Sequence, residues 1–108
     1  MLKVFTSRIS YRGEARWDIT VQSGSKVFAP SWKIVMAYKK GKITEQEYTV
    51  AYYEMMETSY KDHRSEWETL LAKDKIVLCC YCPAGAFCHR LLLAKILVKL
   101  GAEYEGEI

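Results

Sequence analysis

The chain has 108 residues and a formal net charge of +3; half of its residues are hydrophobic and 27% are charged. That size suits one domain spanning residues 1–108, and the balance fits a folded globular core rather than a disordered segment. The small positive excess has no long basic run, which argues against nucleic acid as the partner; no apolar stretch reaches the ~18 residues of a membrane span, and Met1 to Thr6 lacks the apolar core of a signal peptide, so a cytoplasmic setting with four reduced cysteines is expected.

Leu2, Val4 and Thr6 alternate with Lys3, Phe5 and Ser7, which predicts a first strand. Arg16 to Val21 reads as a second, with Trp17, Ile19 and Val21 on one face, and Gly24-Ser25 marks the loop after it. Pro30 suits the first turn of a helix in which Trp32, Val35 and Met36 form an apolar stripe. Gly41 is placed to end that helix, so the cationic run Lys39-Lys40-Gly41-Lys42 reads as a solvated helix end. Thr44 and Glu47 have capping-box spacing and predict a helix to about Ser59, with Tyr48, Ala51, Tyr52 and Met55 recurring at helical spacing, a stripe that more often forms core than the lining of a ligand pocket. Asp62 can cap a further helix that carries Trp67, Leu70 and Leu71 to a stop near Lys73-Asp74. Lys75 to Cys82 is the clearest strand, because Ile76-Val77-Leu78-Cys79-Cys80 is continuously apolar, as a strand covered on both faces should be. Pro83 and Gly85 punctuate a loop. Leu91 to Leu100 reads as a largely buried helix wetted only along Lys95 and Lys99 and ended by Gly101. Glu103 to Glu107 can return as a last strand. The order predicts an α/β fold, a three-layer Rossmann-like sandwich around a small, mostly parallel sheet.

The chemistry concentrates in Cys80 to Arg90. Ligands of open parallel sheets bind beyond the carboxyl ends of the strands, and the loop after Cys82 lies at such an end. A helix starting near Cys88 would point unpaired N–H groups into that space, a seat for phosphate or carboxylate, and Gly85 permits close backbone approach. Arg90 in the first helical turn opposes the helix dipole at a cost of roughly 0.3–1 kcal/mol. Either a bound anion or a buried carboxylate such as Asp18 or Glu14 would account for it. Cys88, beside His89 and Arg90 at a helix start, is a candidate nucleophile with a lowered thiol pKa, and His89 is a candidate acid or base. Adjacent helical side chains diverge by about 100°, however, so the two are not an obvious dyad. Thr6, Ser7 and Arg8 close the first strand and would reach the edge occupied by Cys82, Gly85 and Arg90 if that strand is parallel to the Ile76 strand; Arg12 and Arg16 would line the same edge. Cys80, Cys82, Cys88 and His89 are ligand types for zinc, but the spacing is poor and no second knuckle exists, so no metal or other cofactor is expected. Cys79 faces the other way, into the core.

The run Ile76 to Arg90, ending in Cys88-His89-Arg90 and followed by Leu93-Ala94, resembles the signature of the domain of unknown function 488 family, DUF488. Phe28-Ala29-Pro30-Ser31-Trp32 with the Lys39-Lys40-Gly41 helix end is similar to its central segment, and Thr6-Ser7 to the end of its first strand. The resemblance implies a compact α/β fold and occurrence in bacteria and their phages, hence the host cytoplasm for a phage-encoded member. It implies no settled reaction. Members often carry an acid where this chain has Cys82, which weakens an acid–base role here and adds a thiol.

Three functions are expected to compete. The first is a module binding a small anionic ligand, a nucleotide or phosphate ester, at Cys82 to Arg90. The second is a thiol- or histidine-dependent enzyme using Cys88 and His89. The third is a phage interaction or counter-defence protein acting on a host protein or signalling nucleotide.

Overall fold

A computed structural model describes residues 1–20, 24–81 and 87–108. The elements are β1 (Lys3–Arg8), β2 (Arg16–Asp18), α1 (Trp32–Lys39), α2 (Glu45–Asp62), α3 (Arg64–Leu71), β3 (Lys75–Cys80), α4 (His89–Lys99) and β4 (Glu103–Glu107). The strands form one sheet in the order β2-β3-β1-β4, and every pairing is parallel. The small α/β fold read from the sequence is the fold adopted, with a sheet that is wholly parallel among the described residues and is flanked by the four helices given above.

β3 lies inside the sheet, and Ile76 to Cys80 are all buried, which is why that segment has no polar alternation. Leu2, Val4, Ile76, Leu78 and Cys80 share one core cluster with Tyr52 and Met56 of α2, Trp67 and Leu70 of α3, and Leu93 and Leu97 of α4. The aromatic members need polar partners as well as burial. Tyr52 donates its hydroxyl to the Phe28 carbonyl at 2.8 Å. Trp67 Nε1–H donates to Ser59 Oγ at 3.0 Å, and Ser59 donates to the Val27 carbonyl at 2.7 Å. These bonds tie α2 and α3 to the segment that leads into α1.

Several boundaries differ from expectation. α1 begins at Trp32 with Ser31 as its cap, Ser31 Oγ accepting from the Ile34 amide; Pro30 precedes the helix. The Thr44–Glu47 capping box forms, but α2 runs past Ser59 to Asp62. Asp62 therefore closes α2 rather than capping α3, whose cap residue is His63. β3 ends at Cys80 and β2 at Asp18. Ile19 and Thr20, expected to carry β2 on to Val21, follow it outside the strand; Val21, and Cys82, Pro83 and Gly85 of the loop after β3, lie outside the described residues. α4 starts two residues earlier than Leu91, at His89, and Gly101 follows it with φ +107°, a left-handed position that suits glycine. No helix among the described residues is long and apolar enough to cross a membrane.

Candidate functional site

Because all four strands are parallel, their carboxyl ends share one edge, where Arg8, Asp18, Cys80 and Glu107 close β1, β2, β3 and β4. Arg8 lies beside Cys80 in the β1–β3 register. α4 leaves from the same edge. His89 and Arg90 occupy its first turn and are both buried, although each is polar. Each has to be satisfied within the protein.

The fully buried Arg90 answers the first requirement with a carboxylate from the far end of the chain. Its Nε donates to Glu107 Oε1 at 3.2 Å and its Nη2 to Glu107 Oε2 at 2.8 Å, a two-pronged ion pair. Its Nη1 donates to Cys80 Sγ at 2.9 Å. The carboxylate that meets Arg90 is neither Asp18 nor Glu14 but Glu107, whose side chain is itself only partly buried: β4 returns next to β1 and brings its last carboxylate over the first turn of α4. Asp18 instead accepts from the amide and hydroxyl of Thr20 at 2.9 and 2.7 Å.

His89 answers through its ring. Nε2–H donates to the Ile19 carbonyl at 2.6 Å; the carbonyl can only accept, so the proton sits on Nε2 and Nδ1 keeps its lone pair. Burial pushes the pKa of His89 down from 6.5 to about 4, so the ring is neutral near physiological pH. Nδ1 lies 3.7 Å from Cys88 Sγ. The expected divergence of these neighbours does not apply, because Cys88 is the N-cap of α4, extended at φ −157° and ψ 149°, and not part of the helix. That conformation turns its sulfur toward the His89 ring. The sulfurs of Cys80 and Cys88 meet in the same corner. Their Cα atoms are 7.9 Å apart, beyond the ~4.4–6.8 Å that a relaxed disulfide spans, so the pair reads as a converging dithiol. Cys79 is fully buried, and burial raises its thiol pKa.

A cavity of about 310 Å³ opens onto this corner. Cys80, Cys88 and His89 reach it from the buried side. Trp32 and Tyr38 of α1, Tyr48 of α2, and Phe87 give it aromatic walls. Tyr38, Tyr48 and Phe87 brace one another with ring centroids 5.2–5.7 Å apart. Thr20 and the exposed Lys39 add polar groups. The apolar stripe of α1 is divided: Val35 packs against the core, whereas Trp32 is 52% exposed and Met36 40%, and Trp32 serves as pocket wall. Helical spacing alone does not separate those two uses. Lys39, read as a solvated helix end, borders the same cavity.

The other candidates lie elsewhere. Thr6 Oγ1 hydrogen-bonds Tyr104 Oη at 2.7 Å, and Ser7 Oγ donates to the Ile108 carbonyl at 2.8 Å, so both side chains turn toward β4 and the chain end. Arg8 is exposed, and none of the three lines the cavity. Arg16 holds the loop before β2, donating to the Tyr11 and Ile9 carbonyls at 2.9 and 3.1 Å, and Arg12 donates to the Ile9 carbonyl at 3.3 Å. Cys82 and Gly85 are outside the described residues.

Residues 1–101 match the family model DUF488-N3a, described as the active DUF488-N3 subclade. The chain belongs to the DUF488 family. The Cys-His-Arg signature by which this DUF488 member was legible is the segment that caps and opens α4. No curated protein and no solved structure matches the chain.

Proposed function

We propose that this DUF488 domain binds a small ligand combining a planar ring with a negative group, a nucleotide or related phosphate ester, in the cavity at the carboxyl edge of its sheet. The observation that carries the reading is the aromatic lining of Trp32, Tyr38, Tyr48 and Phe87 around about 310 Å³, with Lys39 on the same cavity. Small-molecule sites run from ~300 to 1,000 Å³ and combine apolar walls with a few polar groups. Aromatic faces stack on bases at about 1–3 kcal/mol each. The N-terminal end of α4, where Cys88 makes no side-chain capping bond, adds a partial positive charge. Arg90 is not the anion's partner in this reading: its charge is met by Glu107, and it holds the corner together. A thermal-shift screen of nucleotides and sugar phosphates tests the reading. It expects at least one ligand to raise Tm in the wild type and to lose that effect in Trp32→Ala and Lys39→Ala. A screen that moves nothing, or a shift that both variants retain, rejects it.

A second reading, thiol-dependent catalysis at Cys88, is favoured by the Cys88 Sγ to His89 Nδ1 approach of 3.7 Å, with His89 oriented by Ile19. A nucleophile, a base and a group that orients the base are the parts such chemistry uses. The description of the matched subclade as active supports it further. Its test is the pH profile of iodoacetamide alkylation: a Cys88 that reacts with the profile of an ordinary exposed thiol has no activating base.

A further inference from the structure

The geometry points to a zinc site of the Cys2His type, formed by Cys80, Cys88 and Nδ1 of His89, with its fourth position facing the aromatic cavity. The proposal goes beyond the nucleotide reading and stands without it.

Two independent features converge, the spacing of the ligand atoms and the orientation of the imidazole. The ligating atoms of the three residues all lie within 4.8 Å of one another, and all three residues are buried. The Cys88 Sγ to His89 Nδ1 separation is 3.7 Å; Zn–S near 2.3 Å and Zn–N near 2.0–2.1 Å in a tetrahedron set that edge at about 3.6 Å. The other ring nitrogen is already committed, since Nε2–H donates to the Ile19 carbonyl at 2.6 Å. That is how metal-bound histidines are held: the outer N–H on a carbonyl or carboxylate fixes the tautomer and aims the opposite lone pair at the ion. The bond crosses 70 positions in sequence, from α4 to the segment after β2, so His89 is oriented by the fold and not by its neighbours.

The cysteine pair fits the same use. Their Cα separation of 7.9 Å is too wide for a relaxed disulfide yet brings both sulfurs to one point. A zinc ion would part them to about 3.8 Å. Arg90 Nη1–H, 2.9 Å from Cys80 Sγ, is a donor suited to a thiolate. Charge balances within the corner: the guanidinium is met by Glu107, and two thiolates meet one divalent ion. On binding, both thiol protons leave for solvent, so each zinc taken up releases two protons, with no oxidation or reduction. Two sulfurs and one imidazole favour zinc over magnesium or calcium. Three protein ligands leave a position for water or a ligand atom, and all three border the cavity.

The test uses the full-length, reduced, chelator-treated protein without nucleotide. Co²⁺ is titrated in first, then displaced by Zn²⁺. One equivalent of Co²⁺ should give a thiolate-to-metal charge-transfer band and strong tetrahedral d–d bands and release two protons in weakly buffered solution, and one equivalent of Zn²⁺ should then abolish both bands with no further proton release. Cys80→Ser and Cys88→Ser should each lower zinc affinity at least about 100-fold, more than loss of an outer-sphere partner costs, while Cys79→Ser should leave it unchanged. Circular dichroism of each variant confirms that it is folded. Absence of the charge-transfer band in the wild type, or retention of the wild-type spectrum in folded Cys88→Ser, overturns the proposal. Because the wild-type spectrum alone can reject it, a variant that fails to fold does not protect it.

Discussion

The guanidinium of Arg90 grips both carboxylate oxygens of Glu107, at 3.2 and 2.8 Å, across 17 positions of sequence. This contact explains how a cation is tolerated in the first turn of α4, where the helix dipole disfavours it. It also joins the start of α4 to the end of β4 over the carboxyl edge of the sheet, while the same guanidinium reaches Cys80 at the end of β3. Removing Glu107 leaves the guanidinium charge in a place that water does not reach.

Glu107→Ala is expected to destabilise the fold by about 2–4 kcal/mol, because Arg90 is fully buried and would lose its carboxylate. Glu107 keeps 27% side-chain exposure, which holds the cost below that of a fully interior pair. The shift of the urea midpoint at constant m-value reads it. A loss under about 0.5 kcal/mol, the level of a surface pair, would show that the contact carries no stability.

Stability should fall between neutral and mildly acidic pH because of His89. Its pKa is about 4 in the fold and 6.5 in a solvated chain. Between those values the unfolded chain binds a proton that the folded chain refuses, so the stabilisation is complete above pH 6.5 and is lost as pH falls toward 4. The full difference is about 3 kcal/mol. Urea titrations of the metal-free protein at pH steps from 7 to 4 measure it, and His89→Asn should flatten the curve by that amount. Parallel curves for the two proteins would contradict the burial argument.

Tyr52→Phe removes one oxygen from the core and leaves the Phe28 carbonyl without its 2.8 Å partner. The expected cost is about 1–2 kcal/mol, a fall in Tm of several degrees for a domain of this size. Calorimetry of the variant reads it directly, and an unchanged Tm would mean that the hydroxyl is dispensable.

Gly24→Ala should damage the corner from outside it. A Cβ there would lie 2.4 Å from the Thr20 amide nitrogen and 2.5 Å from the Asp18 carbonyl oxygen, both of which are backbone. The Asp18–Thr20 turn must shift, and Ile19, whose carbonyl holds His89, shifts with it. Destabilisation of about 1–3 kcal/mol is expected, together with a raised His89 pKa by NMR titration as the buried ring loosens. A variant with wild-type stability and an unmoved His89 titration would contradict this coupling.

Some of this was legible in the chain. The unbroken apolar run of β3, the Thr44–Glu47 box and Gly101 after α4 each carry a local physical requirement that sequence displays. Cys88-His89-Arg90 stood out because a cation and two reactive groups at a helix start need explanation. Glu107 was hidden: nothing in Glu103-Tyr104-Glu105-Gly106-Glu107 says which acid meets Arg90 until β4 is placed beside β1. Tyr48 reads mainly as core in the sequence because a helical stripe looks the same whether it faces core or cavity; it is buried and also walls the cavity. The Cys88–His89 approach was discounted because helical geometry was applied to a residue that is extended.

The central claim is that the cavity between α1, Phe87 and the start of α4 is where the ligand binds. Nitrogen-15-labelled protein titrated with purine and pyrimidine nucleotides, followed residue by residue by NMR, tests it most directly. The account predicts saturable shifts at Trp32, Lys39, Phe87 and His89. Shifts confined to the separate groove of Val50, Tyr60 and Ile96 between α2 and α4, or no saturable shifts at all, would contradict it.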